Sequence, residues 1–285
     1  TAGIRYDWRR LTNENDAALG LLAGERTYGS LTGNVGALYR LSEPLALVAN
    51  IGRGFRAPSP FELFANGVHE GTIRFEVGDP TLTNETSLNA DLALRAQSGA
   101  VQAEVGVFRN AINNYIYPNP TGAVDPESGF RIYDFTQGDA LLTGVEATIE
   151  YHPRAWLHLR AGGDYTRGQN TSLDIPIAFV APMRVNGAVR VEGEGRGALQ
   201  SPYLEFGLEH NAKQSRLDPD DFAPDAYTLA SLQAGTRLAV ARQAVRLDLQ
   251  VRNLFDATYR TFLSRYKFYA DDPGRNVVVR MGFDF

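Results

Sequence analysis

The chain has 285 residues, 44% hydrophobic and 11% aromatic, with a net charge of −5 from 28 basic and 33 acidic side chains. Without cysteine, disulfides and thiolate metal sites are excluded, and the mixed charges, free of any basic block, argue against nucleic-acid binding. No apolar run approaches the roughly 20 residues of a transmembrane helix, and no basic-then-apolar leader opens the chain.

Period-two alternation predicts twelve strands, each with one apolar and one polar face. The first, about 2–10, sets Ile4, Tyr6 and Trp8 against Arg5, Asp7 and Arg9. The second and third, about 32–41 and 45–54, carry Val35, Ala37 and Tyr39, then Leu45, Leu47 and Ile51, on the apolar side. The fourth, about 86–95, sets Leu88, Leu92 and Leu94 against Asn89, Asp91 and Arg95. The fifth, about 100–116, alternates until Arg109, where the broken pattern predicts a bulge or an exit from the membrane. The sixth to ninth lie at about 139–151, 155–167, 183–192 and 201–212. The tenth, about 226–238, has small residues on both faces. The eleventh, about 244–254, sets Val245, Leu247, Leu249 and Val251 against Arg246, Asp248, Gln250 and Arg252. The twelfth, Asn276–Phe285, sets Val277, Val279, Met281, Phe283 and Phe285 against Arg280 and Asp284.

The connections sort by length. Those near 42–44, 96–99, 152–154, 193–200 and 239–243 are short. Those near 11–31, 55–85, 117–138, 168–182, 213–225 and 255–275 are long, and the two kinds alternate. Short turns at one end and long loops at the other mark an outer-membrane barrel, whose outer face meets lipid and whose inner face meets water. With the last strand ending at the periplasm, all six long connections lie outside. A soluble β-domain that binds a partner also alternates, but has no reason to sort its loops by end.

Residues 50–64 read Asn-Ile-Gly-Arg-Gly-Phe-Arg-Ala-Pro-Ser-Pro-Phe-Glu-Leu-Phe, and 78–85 read Gly-Asp-Pro-Thr-Leu-Thr-Asn-Glu. Gly144-Val145-Glu146, Asn253-Leu254-Phe255-Asp256 with Tyr259, and Pro273-Gly274-Arg275 leading to Phe285 follow in order. Together these runs resemble the signature of TonB-dependent outer-membrane receptors. The resemblance implies an all-β, antiparallel transmembrane β-barrel of about 22 strands around a plug domain. The twelve strands seen here would be its last twelve, and residues 1–285 its carboxy-terminal portion. The plug, the TonB box and the earlier strands would precede Thr1. The implied setting is the bacterial outer membrane. The implied partners are the lipid bilayer, an extracellular nutrient, the protein's own plug domain, the TonB complex and the outer-membrane assembly machinery. Phe285 would be the signal that this machinery reads.

The implied function is TonB-dependent uptake of a scarce nutrient: an iron–siderophore, haem or zinc. A self-contained twelve-stranded pore or adhesin is the alternative. The loop 64–76 resembles that of a zinc- and haem-associated branch of these receptors. Its His69, Glu70, Arg74 and Glu76, with Asp79, are the candidate ligand-binding residues, and His69 and Glu70 the candidate metal ligands, since imidazole and carboxylate both suit zinc. Phe55, Arg56, Pro58 and Glu62 form a candidate loop-shaping motif, in which proline stiffens the chain and Arg56 meets Glu62. The loop aromatics Tyr115, Tyr117, Phe262, Tyr266, Phe268 and Tyr269 could stack on a ligand. His152 and His210 show no partner pattern. No nucleophile elbow, phosphate loop or acid–base constellation is present, so no enzyme and no resident cofactor is expected.

Overall fold

The computed structural model describes residues 1–17, 23–69, 71–218, 221–240 and 243–283. Three of the residues singled out above, Glu70, Asp284 and Phe285, therefore lie outside the described residues. In chain order the elements are β1 (Ala2–Asn13), β2 (Gly24–Ser42), β3 (Leu45–Arg56), α1 (Pro60–Phe64), β4 (Asn66–His69), β5 (Arg74–Val77), β6 (Glu85–Ser98) and β7 (Val101–Val124). They continue as β8 (Arg131–Arg154), β9 (Leu157–Asn170), β10 (Ile175–Pro176), β11 (Arg184–Glu192), β12 (Leu199–Asn211), β13 (Tyr227–Val240), β14 (Gln243–Arg252) and β15 (Asn276–Phe283).

Twelve long strands pair in the order β1-β2-β3-β6-β7-β8-β9-β11-β12-β13-β14-β15. Every neighbouring pair on this path is antiparallel. β4, β5 and β10 lie off it, and β5 alone runs parallel to its partner, at the start of β8. β1 and β15 end the order, and no pairing joins them among the described residues. The closing seam of a twelve-stranded barrel is therefore not formed there.

The predicted faces are the observed ones. Ile4 is 79% exposed and Val279 70%, and Tyr39, Ile51, Leu92, Val107, Ile149, Val189, Leu204 and Leu249 are exposed alongside them. The opposite face carries ion pairs between register partners: Arg95 with Glu104, and Arg184 with Asp164. Hollows on that face are lined by Arg160, Asn186, Glu205 and Gln250, and by Thr32, Asn34 and Asn89. The polar side is thus the concave one, and the apolar side faces outward, as a lipid-facing wall requires.

Two connections are shorter than their sequence suggests. The stretch 117–138 reads as a loop because of Pro118, Pro120 and its polar composition. Instead β7 runs on to Val124 and β8 begins at Arg131, past a bulge at Ile112/Tyr115 where Asn114 takes φ 56°. Beyond Asn113 β7 has lost β6 as a neighbour, so its prolines sit on a free edge, where a missing N–H costs no ladder bond. Likewise β2 begins at Gly24, inside the predicted 11–31 loop.

In the Gly-Val-Glu run, Gly144 faces Phe108 in register. A Cβ on Gly144 would strike the Phe108 ring and come within 2.7 Å of the Tyr165 carbonyl oxygen, so only glycine lets that ring cover the strand.

Leu249 and Val279 are register partners on the outward face. Replacing either with Arg is expected to block folding into lipid vesicles, since a midplane arginine costs about 2–4 kcal/mol. Heat-modifiable migration on gels checks this, and unimpaired insertion of both variants would contradict the facing assignment.

Candidate functional site

The long-loop end of the sheet is organised by Arg56, the last residue of β3. Its Nε and Nη2 donate to the Glu85 carboxylate at 2.7 and 2.8 Å, and its Nη1 donates to Glu62 at 2.8 and 2.9 Å. Glu85 also accepts from the Ile116 N–H at 2.6 Å. One guanidinium thus ties β3, α1, β6 and β7 together through charge-assisted bonds.

Helix α1 is five residues long, too short to persist unaided. A capping box starts it: Ser59 Oγ accepts from the Glu62 N–H, and the Glu62 carboxylate accepts from the Ser59 N–H. Burial pushes the Glu62 carboxyl up, but the bonds from Arg56 and Ser59 outweigh it and hold the group below its usual range. Pro58 and Leu63 are fully buried, and Leu63 joins Tyr28, Leu82, Ile116 and Phe135 in the core of this end. Gly78 passes so close to the end of α1 that a Cβ would lie 2.6 Å from the Leu63 carbonyl carbon. The Asp79 carboxylate accepts from the Thr81 N–H and hydroxyl at 2.7 and 2.6 Å, building the next turn. Gln137 on β8 then fastens this loop, donating to the Thr83 and Asn114 carbonyls at 2.9 Å.

From this base rises the β4–β5 hairpin. Glu76 is 3% exposed; its carboxylate lies 3.2 Å from His69 Nδ1 and accepts from the Thr72 hydroxyl at 3.0 Å. The His69 ring meets Phe61 edge-on at 5.3 Å, and Phe61 meets Phe135 at 5.7 Å. The Arg74 guanidinium lies over the Tyr133 ring at 4.1 Å.

These groups wall a cavity of about 430 Å³. His69, Arg74 and Glu76 line one side; Tyr115, Tyr117, Tyr133 and Phe135 from the extended β7 and β8 line another. Residues 175–179, Asp218 and Arg265 close it from the later loops. Tyr115 and Tyr117 stack with centroids 6.0 Å apart. Burial pushes the Tyr115 hydroxyl pKa up, and the Glu85 charge adds to this, so the ring stays a neutral donor. A second hollow of about 480 Å³ adjoins it, sharing Arg74, Tyr133, Phe179 and Arg265. Below it Lys267 is fully buried, 2.6 Å from Asp221 and 3.8 Å above Phe262.

The structure therefore gathers His69, Arg74 and Glu76 and leaves Asp79 in a turn outside the cavity. Glu70, the second candidate metal ligand, lies outside the described residues, and among those described no three His, Asp or Glu side chains converge as a metal site. Of the loop-shaping set, Arg56 and Glu62 pair, Pro58 is buried and Phe55 packs on the core. Tyr133, Phe135 and the 175–179 wall were not anticipated. The period-two pairs Tyr115/Tyr117 and Tyr133/Phe135 are the sequence signal that marks them. His152 does have a partner: its Nδ1 lies 2.6 Å from that of His158. His210 Nδ1 lies 2.9 Å from the Thr228 hydroxyl.

An apolar outward face, a polar inward face and long loops gathered over one end define an outer-membrane barrel wall. Residues 1–254 match the family described as TonB dependent receptor-like, beta-barrel, and the chain belongs to that family. Barrels of this family reside in the bacterial outer membrane and act as transporters, not enzymes. The chain is similar to the vitamin B12 transporter BtuB of Vibrio vulnificus, 24% identical over 254 residues, covering 89% of this chain and 37% of that protein. It is also similar to the heme/hemopexin utilization protein C of Haemophilus influenzae strain 86-028NP, 26% identical, covering 87% of this chain and 36% of that one. The chain thus spans little more than a third of these curated relatives. Its fold matches the copper transporter OprC with a TM-score of 0.83 at 20% identity, over 100% of this chain and 45% of that one. The siderophore receptor PirA of Acinetobacter baumannii matches at 0.66 and 16% identity, over 89% of this chain and 41% of that one.

Replacing Arg56 with Ala strands the buried Glu85 and the partly buried Glu62 carboxylates and is expected to cost about 1–3 kcal/mol, moderated by the guanidinium's partial exposure. Faster hydrogen exchange across 57–84 is the readout. Because the Glu62 pKa is lowered on folding, its contribution is complete above the unfolded value of about 4.3 and fades as pH falls through the folded one. In the wild type, protection factors over this loop, corrected for the intrinsic pH dependence of exchange, should therefore fall on acidification; in Glu62→Gln they should be lower at neutral pH and less pH-dependent.

Proposed function

We propose that this chain is the carboxy-terminal part of the barrel of a TonB-dependent receptor that captures a metal complex, an iron–siderophore or haem, in the outer cavity. The observation that carries the reading is the cavity wall: the rings of Phe61, Tyr115, Tyr117 and Tyr133 beside Arg74 and Arg265. Rings stack on a flat organic ligand, and arginines meet its carboxylate or phenolate oxygens. Uptake would follow plug displacement driven by the TonB complex, with plug and TonB box supplied by sequence other than residues 1–285.

Among the described residues the outer sides of β1 and β15 are unpaired, which supports membership in a larger barrel. Unpaired backbone groups in lipid cost several kcal/mol each, so further strands are needed on both sides. A self-contained pore or adhesin would instead need β1 and β15 to pair. Zinc is the second reading, favoured by His69 beside Glu76 at the cavity wall.

In the full-length receptor, Arg74→Ala combined with Arg265→Ala is expected to weaken binding of a ferric complex or haem at least about tenfold, the equivalent of roughly 1.4 kcal/mol. Equilibrium binding in detergent checks it, and unchanged affinity for every such complex would contradict the reading. Replacing His69 and Glu70 with Ala should slow growth on limiting metal. A defect confined to zinc limitation would assign zinc as the cargo, and normal growth under both zinc and iron limitation would remove these two residues from the site.

A further inference from the structure

At the short-turn end of the sheet, opposite the outer cavity, the β8–β9 hairpin sets two histidine rings in contact, edge to face. Tyr151 pairs with Leu159, so His152 and His158 are the next residues on each strand toward the turn. Their Nδ1 atoms lie 2.6 Å apart, with ring centroids at 4.7 Å and planes at 79°. Each ring has a carboxylate behind its other nitrogen. Glu150 Oε2 is 3.9 Å from His152 Nε2, and Glu192 Oε1 is 3.7 Å from His158 Nε2. Arg190 Nε donates to Glu192 at 2.8 Å and so fixes the carboxylate in place. His158 Nε2 is buried and has no hydrogen-bond partner among the described residues.

We infer that His152 and His158 form a two-histidine site for a divalent transition-metal ion on the inner side of the wall, with Glu150 and Glu192 orienting the rings. In the metal-free pair one Nδ1–H donates to the other Nδ1 at 2.6 Å. When a cation enters, that proton moves through water to Nε2, on the carboxylate side, and both Nδ1 lone pairs bind the metal. Metal–nitrogen bonds of about 2.0–2.1 Å in tetrahedral geometry place two nitrogens about 3.4 Å apart. The rings need to part by less than about 1 Å from their present contact, and as they do Nε2 swings toward its carboxylate. The side chains are 32% and 24% exposed, which leaves room for that shift and a path from the polar face. Water completes the coordination, because no third ligating side chain converges on the pair among the described residues.

This site is independent of which complex the outer cavity takes. The test is zinc alone, titrated into the full-length receptor in detergent against a chromophoric chelator, with copper(II) as the spectroscopic probe. His152→Gln and His158→Gln are each expected to weaken one zinc site at least about tenfold and to reduce the copper signal from two nitrogen ligands to one. Glu192→Gln should weaken it by about tenfold while leaving both nitrogens bound. His210→Gln, on β12, should leave it unchanged. Heat-modifiable migration checks that each variant is folded. Equal zinc affinity in the wild type and both histidine variants, or copper spectra without paired nitrogen coupling, would overturn the assignment.

Discussion

A lipid bilayer offers the backbone no hydrogen-bonding partner, and the rest of this structure follows from that constraint. Each long strand must give its N–H and C=O groups to neighbouring strands, so the sheet is continuous from β1 to β15. The side chains then have two solvents to satisfy on alternate positions. Ile4, Val107, Leu204 and Val279 stand outward, while Arg95, Glu104, Asp164 and Arg184 pair across the inner face. Little of the protein is a core in the soluble sense. The buried apolar cluster sits at the long-loop end, where water returns and the loops must hold one another.

There the organising interaction changes from alternation to charge. Arg56 receives two carboxylates from different directions and so locates α1 relative to β6 and β7. The hairpin of β4 and β5 stands on that base and adds to β8 by a short parallel pairing. The extension of β7 and β8 beyond the membrane supplies the facing wall. A rigid, ring-lined cavity thus rests on elements that would not be ordered singly. Many of the family's signature residues serve this construction. Asn253, for instance, exchanges two bonds with the Ala257 backbone, and Asp256 accepts from the Arg275 N–H, tying the two ends of the last loop together.

That division explains what could be read from the amino-acid order. The lipid-facing positions impose a strict period, so all twelve membrane strands were legible, including β15 with its Val277, Val279 and Met281 ribbon. The turn-building motif at Arg56, Pro58 and Glu62 was legible because its residue types have narrow backbone and charge requirements. The extended arms of β7 and β8 were not, because outside the bilayer neither face is bound to be apolar and prolines can sit on a free edge. The cavity was half legible. His69, Arg74 and Glu76 lie close in sequence, whereas Phe179, Asp218 and Arg265 reach it from loops whose approach depends on strand order. The His152–His158 contact escaped notice for a similar reason. It depends on the register that pairs Tyr151 with Leu159, and alternation within one strand does not announce a register between two.

The central claim is that one face of this sheet meets lipid and the other a polar interior. Spin labels placed singly along β14 and β15, in the full-length receptor reconstituted in lipid, test it most directly. At Leu247, Leu249, Val277, Val279 and Met281 the account predicts high accessibility to oxygen and low accessibility to a polar nickel reagent. At Asp248, Gln250, Val278 and Arg280 it predicts low oxygen accessibility. Accessibilities without a two-residue period, or with the period inverted, would contradict it.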